Sequence, residues 1–280
     1  MSLMTGYNWK HDNIRLLGYS VAGISTSVAF PEAEVCFDVA QGLPYQIQFP
    51  NILITHGHMD HASGLPYLIA MKSMMSQALP QIYMPRSLIK PMTNIMKIWH
   101  EIDQHEYRFN FIPIEEDREY ELKPPFFFKA FKTFHRVDSH GYTIFERKKH
   151  LKDEYKKLSP VELGALRKKG ETLDEFVSTP ILSFTGDTKI EFLENDAVRR
   201  SRVLVMEVTY WDDKKSVENA RTWGHIHIDE LLPRLESLKC EKIVLIHASA
   251  RYSTKYLEEI LDRRLPEHLK TKVSLFPRPM

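Results

Sequence analysis

Asn51 to Gly64 reads NILITHGHMDHASG, an apolar β-like run that gives way to a polar loop and then to a stretch able to open a helix. His56, His58, Asp60 and His61 leave this one strand end together. Imidazole and carboxylate suit Zn²⁺, and the alternate spacing lets His56 and His58 reach one ion while Asp60 and His61 reach a second. Isolated histidines are more often packing or surface residues, but a cluster this dense behind a strand is the pattern of a metal site. Two ions need further ligands, and His135 after FFFKAFKTF, Asp187 after ILSFTG and His247 after KIVLI each stand at the end of a strand-like run. A carboxylate between two cations can bridge them at the separation of about 3.5–4 Å used in two-metal hydrolysis, which singles out Asp187. Taken singly, each of the three has a plainer explanation as a turn aspartate or a hydrogen-bonded strand-end histidine.

Outward from this loop, short β-runs alternate with helical segments joined by brief turns, the pattern of an α/β fold. Strands are expected at IRLLGYSV, TSVAF, EVCFDV, NILITH, QIYM, FNFIPI, FFFKAFKTF, YTIFER, ILSFTGD, VLVMEVT, KIVLIH and KVSLF. Apolar residues recurring three and four apart place helices at Gly64 to Gln77, Ser87 to Trp99, Ile228 to Leu238 and Thr254 to Arg264. No internal repeat of about 20–50 residues is visible, and residues 4–280 read as a single domain.

The 280 residues carry 38 Lys plus Arg against 37 Asp plus Glu, and a net charge of +1 excludes a protein that works through a uniform basic field. Cys36 and Cys240 sit in apolar runs as buried free thiols do, which points to the reducing cytoplasm. No apolar stretch approaches the roughly 20 residues of a membrane span, and MSLMTGYNWKHDN has no signal-peptide apolar region. Met1, Ser2 and Leu3, ahead of a second methionine at Met4, read as a vector remnant.

Positive charge is concentrated in one insertion at about 146–178. Glu146 to Gly170 holds nine Lys and Arg against four Asp and Glu, so this stretch is +5 and the remainder −4. Ser159, Pro160 and Glu162 provide an N-cap, a first-turn proline and an N3 carboxylate, which predicts a helix through Arg167. Two short basic helices projecting as an arm are expected, with Lys148, Lys149, Lys152, Lys156 and Lys157 as candidate contacts to a nucleic-acid backbone. A solvated helix pair without a partner fits the charge equally well.

The chain resembles the metallo-β-lactamase superfamily and, within it, the ribonuclease Z (tRNase Z) family in its short, plant-type form. His56, His58, Asp60 and His61 match the superfamily H-x-H-x-D-H motif, and His135 precedes Gly141-Tyr142 as expected. Narrower matches are Met206-Glu207-Val208-Thr209 to the H-E-A-T loop, Gly224-His225-Ile226-His227 to the H-S-T loop, and His247-Ala248-Ser249-Ala250-Arg251-Tyr252 to H-F-S-x-R-Y. GYSVAGIST, FDVAQ and FTGDT add to the likeness. Four departures stand beside it: the arm lacks a Gly-Pro pattern, Ala248 replaces phenylalanine, the usual H-S-T loop reads His225-Ile226-His227, and the opening glycine/serine loop reads Leu17-Gly18-Tyr19-Ser20.

The resemblance implies an αββα four-layer sandwich, with His56, His58 and His135 on one zinc, Asp60, His61 and His247 on the other, and Asp187 between them. It implies Asp60, His225 and Glu207 as the catalytic residues, with His225 a proton donor oriented by Glu207, and Asp38 as a support of the metal loop. The implied activity is a zinc-dependent endoribonuclease that removes the 3′ trailer of precursor tRNA by two-metal hydroxide attack, in a homodimer. His and Asp ligands also accept Mn²⁺ or Fe²⁺. The alternatives are a small-molecule phosphodiesterase or other hydrolase of the same fold, which would have no use for the arm, and an RNA-binding protein with a structural metal.

Overall fold

Apolar runs that alternate between two buried faces build two seven-stranded sheets. The computed structural model describes residues 5–278, so Met1 to Leu3 lie outside the described residues. The first sheet holds β1 (Tyr7–His11), β2 (Ile14–Val21), β3 (Ser25–Phe30), β4 (Val35–Phe37), β5 (Asn51–Leu53), β6 (Gln81–Met84) and β7 (Asn110–Pro113) in chain order. Neighbours pair antiparallel as far as β4 and parallel from β4 to β7. The second sheet holds β8 (Tyr120–Glu121), β9 (Phe126–Lys132), β10 (His140–Leu151), β11 (Asp174–Phe184), β12 (Val203–Glu207), β13 (Lys242–Ile246) and β14 (Val273–Leu275). It is antiparallel from β8 to β11 and parallel from β11 to β14, so the second half repeats the topology of the first.

Side-chain alternation makes the layers. In β4, Val35 and Phe37 face the other sheet while Cys36 faces outward; in β12, Val203 and Val205 face inward while Leu204 and Met206 face outward. Between the sheets Phe37 stacks on Phe184, with ring centroids 4.7 Å apart and planes within 9°. The outer face of the first sheet is covered by α1 (Met59–Ala62), α2 (Leu65–Met74) and α3 (Arg86–Asp103), which contribute Ala62, Leu65, Leu68, Ile69 and Met96 to its core. In chain order follow α4 (Pro160–Lys168), α5 (Asp196–Arg200), α6 (Val217–Trp223), α7 (Ile228–Leu231), α8 (Thr254–Arg264) and α9 (Glu267–Lys270). Of these, α5, α7, α8 and α9 pack Val198, Ile228, Leu231, Leu257, Ile260, Leu261 and Leu269 on the second sheet. The result is the αββα sandwich.

Helix α8 spans the expected Thr254–Arg264 behind an N-cap at Ser253. The helix expected over Ile228 to Leu238 is one α-turn followed by a 3₁₀ turn, Leu232–Ser237, where Pro233 has no amide to continue the α pattern. Strands β1 and β8 have no counterpart among the expected strands.

The arm differs most from expectation. Glu146 to Leu151 continues β10 and pairs antiparallel with Asp174 to Thr179 of β11, so the stem is a two-stranded ladder rather than a helix. Its tip carries a 3₁₀ turn, Asp153–Tyr155, and the single helix α4, closed by the expected Ser159–Glu162 capping box. A ladder wetted on both faces shows no apolar alternation, which is why these charged residues do not read as strand.

The stacked Phe37–Phe184 pair joins the sheets through fully buried rings, and a large-to-small change there leaves a cavity. Phe184→Ala is expected to destabilise the protein by about 3–5 kcal/mol, measured as a lower denaturant midpoint at unchanged slope.

Candidate active site

The ligand-type residues lie at the carboxyl ends of strands, beyond β5, β9, β11, β12 and β13. The carboxyl edge of an open α/β sheet, where its strand pattern switches, is the usual place for a ligand crevice. Behind β5 the chain turns through His56 and His58, and Asp60 and His61 occupy the single turn of α1. Two neighbouring segments fix this loop: the amides of Val39 and Ala40 donate to the His61 carbonyl at 2.8 and 3.0 Å, and the Gly23 amide donates to Asp60 Oδ2 at 2.8 Å. Asp38 and Ala40 take φ values of 52° and 49°, and His247 of 59°, left-handed conformations that non-glycine residues adopt at a cost.

Two groups of donors result. His56, His58, His135 and Asp187 form one, and Asp60, His61 and His247 the other, with the ligand atoms of each group within 4.8 Å of one another. Asp187 faces both: Oδ2 lies 3.7 Å from His56 Nε2 and 4.0 Å from His135 Nε2, while Oδ1 lies 3.3 Å from His61 Nε2. His58 Nδ1 and His135 Nε2 stand 3.1 Å apart, and His61 Nε2 and His247 Nε2 3.3 Å apart. His56 Nε2 is buried without any hydrogen-bond partner. Burial, reinforced by the neighbouring imidazoles, holds His56 well below the ordinary imidazole pKa and lowers His58 and His135, so all three offer lone pairs. Burial also acts against charge on His61, but Asp187 and Asp38 outweigh it and favour a positive charge at that ring. Three neutral imidazoles, one with an orphaned nitrogen, and a shared carboxylate are the donor set of a divalent-cation site, and His61 would give up its proton to an ion at the second group, so the residues present fit such ions.

Groups behind the donors orient them. His61 Nδ1 donates to Asp38 Oδ2 at 2.7 Å, and Asp38 also accepts from the Thr55 amide and hydroxyl. His135 Nδ1 donates to the Gly224 carbonyl at 2.8 Å. Gly224 has φ +77°, and a Cβ there would lie 2.7 Å from that same Nδ1, so only glycine fits. Asp38 thus supports the loop, as expected, and is not among the clustered donors.

His225 enters behind Gly224, its ring 5.1 Å from His135 and 5.5 Å from His247. Its Nδ1 donates to Glu207 Oε1 at 2.9 Å. Glu207, fully buried as the last residue of β12, also accepts from the Thr188 amide at 2.8 Å and the Thr209 hydroxyl at 2.6 Å. Burial alone would lower His225, but the charge and hydrogen bond of Glu207, aided by Asp187, hold it up to about 9. Thr209 was not anticipated: its hydroxyl bridges Glu207 to His247 Nδ1, 3.0 Å away. Only its place in the MEVT stretch hinted at it. His227, the second histidine of GHIH, instead caps α7 by accepting from the Asp229 amide.

The arm lysines are not part of this edge. Strand β10 begins at it, where the His140 amide bonds the Thr55 carbonyl, and runs away for 12 residues, so its end lies about 35 Å off. Lys148 pairs with Glu146, Lys149 with Asp174 and Lys156 with Asp153, while Lys152 and Lys157 stand at the tip.

Residues 26–159 match the family model described as Anti-Pycsar protein Apyc1. The chain is 34% identical over 259 residues to tRNase Z TRZ1 of Arabidopsis thaliana, covering 91% of this chain and 92% of that protein. Among solved structures, the metallo-beta-lactamase fold protein YhfI from Bacillus subtilis aligns with a TM-score of 0.64 at 13% identity, covering 96% of this chain and 98% of that one. Human tRNase Z, short form (ELAC1), aligns with a TM-score of 0.57 at 19% identity, covering 99% and 96%. With this fold, these motifs and a near full-length relative at that identity, the chain belongs to the tRNase Z family of the metallo-β-lactamase fold.

Proposed function

We propose that the protein is a metal-dependent endoribonuclease that cuts the 3′ trailer from precursor tRNA and leaves a 3′ hydroxyl on the tRNA. The observation that carries this reading is the His225–Glu207 pair set over two donor groups that share Asp187. His56, His58 and His135 would hold one ion, Asp60, His61 and His247 a second, with Asp187 between them. Zinc suits this donor set, and Mn²⁺ or Fe²⁺ would also be accepted. Bound divalent ions supply Lewis acidity, a nucleophilic water at neutral pH and charge stabilisation for in-line displacement at phosphorus.

The chain's own residues do the remainder. His225 protonates the departing 3′ oxygen, and Glu207 fixes its Nδ1–H tautomer so that the other ring nitrogen carries the transferred proton. Burial of Glu207 keeps that hydrogen bond out of competition with water. Asp38 and Thr209 engage Nδ1 of His61 and His247, which would leave Nε2 of each free to hold an ion. The basic arm, about 35 Å from the chemistry, serves a substrate long enough to span both, as a folded RNA is and a small diester is not. Two buried free thiols agree with a reducing cytoplasm, and no helix among the described residues is long and apolar enough to cross a membrane.

A homodimer completes the reading. Ile95, Ile98, Trp99 and Ile102 form one exposed apolar stripe on α3, spaced as one helix face, and a second copy of the chain would cover it. A small-phosphodiester hydrolase of the same fold is the second reading, because the two donor groups could serve that chemistry without the arm.

The direct test is cleavage of a labelled precursor tRNA beside bis(p-nitrophenyl) phosphate. A single cut near the discriminator base, lost on chelation and in Asp187→Ala, is expected; hydrolysis of the diester alone would promote the second reading. His225→Ala should lower kcat by about 10²–10⁴-fold at unchanged metal content. Because His225 acts in its protonated form, activity falls as pH rises through its pKa. Glu207→Gln removes the charge that raises that pKa, so the alkaline limb of the kcat profile should move to lower pH by about 1–3 pH units. Ile98→Glu with Ile102→Glu should convert a dimer to a monomer in sedimentation, and a monomeric wild type would remove the dimer from the reading.

A further inference from the structure

Two arginine–aromatic pairs flank His225: Arg251 lies 5.8 Å from the Tyr210 ring centroid, and Arg136 lies 4.6 Å from that of Trp223. The second pair stands out. Trp223 is the last residue of α6, two positions ahead of His225, and is 47% exposed although the donor cluster that follows it is buried. Arg136 follows His135 directly, and no carboxylate among the described residues pairs with its guanidinium. The two segments meet at Gly224, whose carbonyl holds His135 Nδ1, so platform and chemistry share one rigid junction. Phe134 and Val137, on the same loop, are exposed as well.

An exposed indole covered on one face by an unpaired guanidinium has little structural purpose of its own. It offers a flat apolar surface that carries positive charge, which is how unpaired bases of single-stranded RNA are held: the ring stacks on the base and the cation meets the adjoining phosphate. We propose that Trp223 and Arg136 form a stacking platform for an unpaired nucleobase next to the scissile phosphate, a subsite separate from the seven ligands and from the arm. The proposal rests on the endoribonuclease reading and deepens it by naming what positions the strand for cutting. Stacking tolerates any base, so the platform places the strand without reading its sequence.

The test is a cycle between protein and RNA. The metal-loaded wild type and Trp223→Ala are each mixed with a fluorescent acceptor-stem hairpin bearing a 3′ overhang. The overhang is either intact or abasic at each nucleotide flanking the cut in turn. Affinity is read by stopped-flow anisotropy ahead of cleavage. Removing the indole or removing the base at one flank should each weaken binding by about 5- to 150-fold. The two losses together should not exceed either alone, and Trp223→Phe, which keeps a ring, should retain most of the affinity. For cleavage, the loss in Trp223→Ala should fall on KM for the RNA rather than on kcat. Additive losses at both flanks, or undiminished binding by Trp223→Ala while the wild type still cuts, would overturn the platform and leave the endoribonuclease reading intact. Coupled losses without any cleavage would retain the platform and discard that reading, and a wild type that binds no RNA would overturn both.

Discussion

The carboxylate of Asp187 is buried in the seam between two sheets, with imidazole nitrogens 3.3 to 4.0 Å from its two oxygens. A charge so placed cannot be left to water, and most of what surrounds it answers that demand. The nearest imidazoles hold the Asp187 carboxyl well below the ordinary carboxylate range despite its burial, so the anion persists and faces both donor groups. Five strand ends converge on it because two sheets that repeat one topology bring their carboxyl edges to the same side. The aromatic stack of Phe37 on Phe184 and the alternating apolar residues between the sheets keep those edges in register.

The same edge separates two kinds of histidine. His56, His58 and His135 are kept neutral by burial and by one another, while His225 is kept protonated by Glu207. An imidazole that is to hold a cation must be deprotonated and one that is to donate a proton must not be, and His61, held toward the charged form by Asp187 and Asp38, would have to lose its proton to an incoming ion. One carboxylate placed behind one ring produces that division within about 5 Å. Thr209 links the two sides, since its hydroxyl donates to Glu207 and accepts from His247 Nδ1.

Distance divides the protein's work a second way. Chemistry sits where β10 begins, and positive charge collects where its ladder with β11 ends. A strand is a stiff spacer, so the arm and the cut are held apart by the length of β10 rather than by a flexible linker. Salt bridges neutralise part of the arm's charge in place, with Lys148 and Lys149 beside carboxylates on the stem and Lys156 beside Asp153 at the tip.

The donor side chains that cluster, the α/β alternation and the strand-end position of that cluster were legible in the sequence by itself, because each is a local signal. A cluster such as His56 to His61 shares one loop, and apolar runs such as VLVME declare themselves by composition. Glu207 and His225 were recognised by motif, but their contact spans 18 residues, and that of His61 with His247 spans 186. Such contacts follow from strand order, which local periodicity does not encode. The tertiary structure alone turned the expected helical arm into a β ladder, since its charged residues carry no apolar period and their pairing is decided by the strands that continue into them. It alone placed Thr209 between Glu207 and His247 and brought Arg136 onto Trp223, because a hydroxyl or an exposed ring acquires its role only from the neighbours that folding supplies.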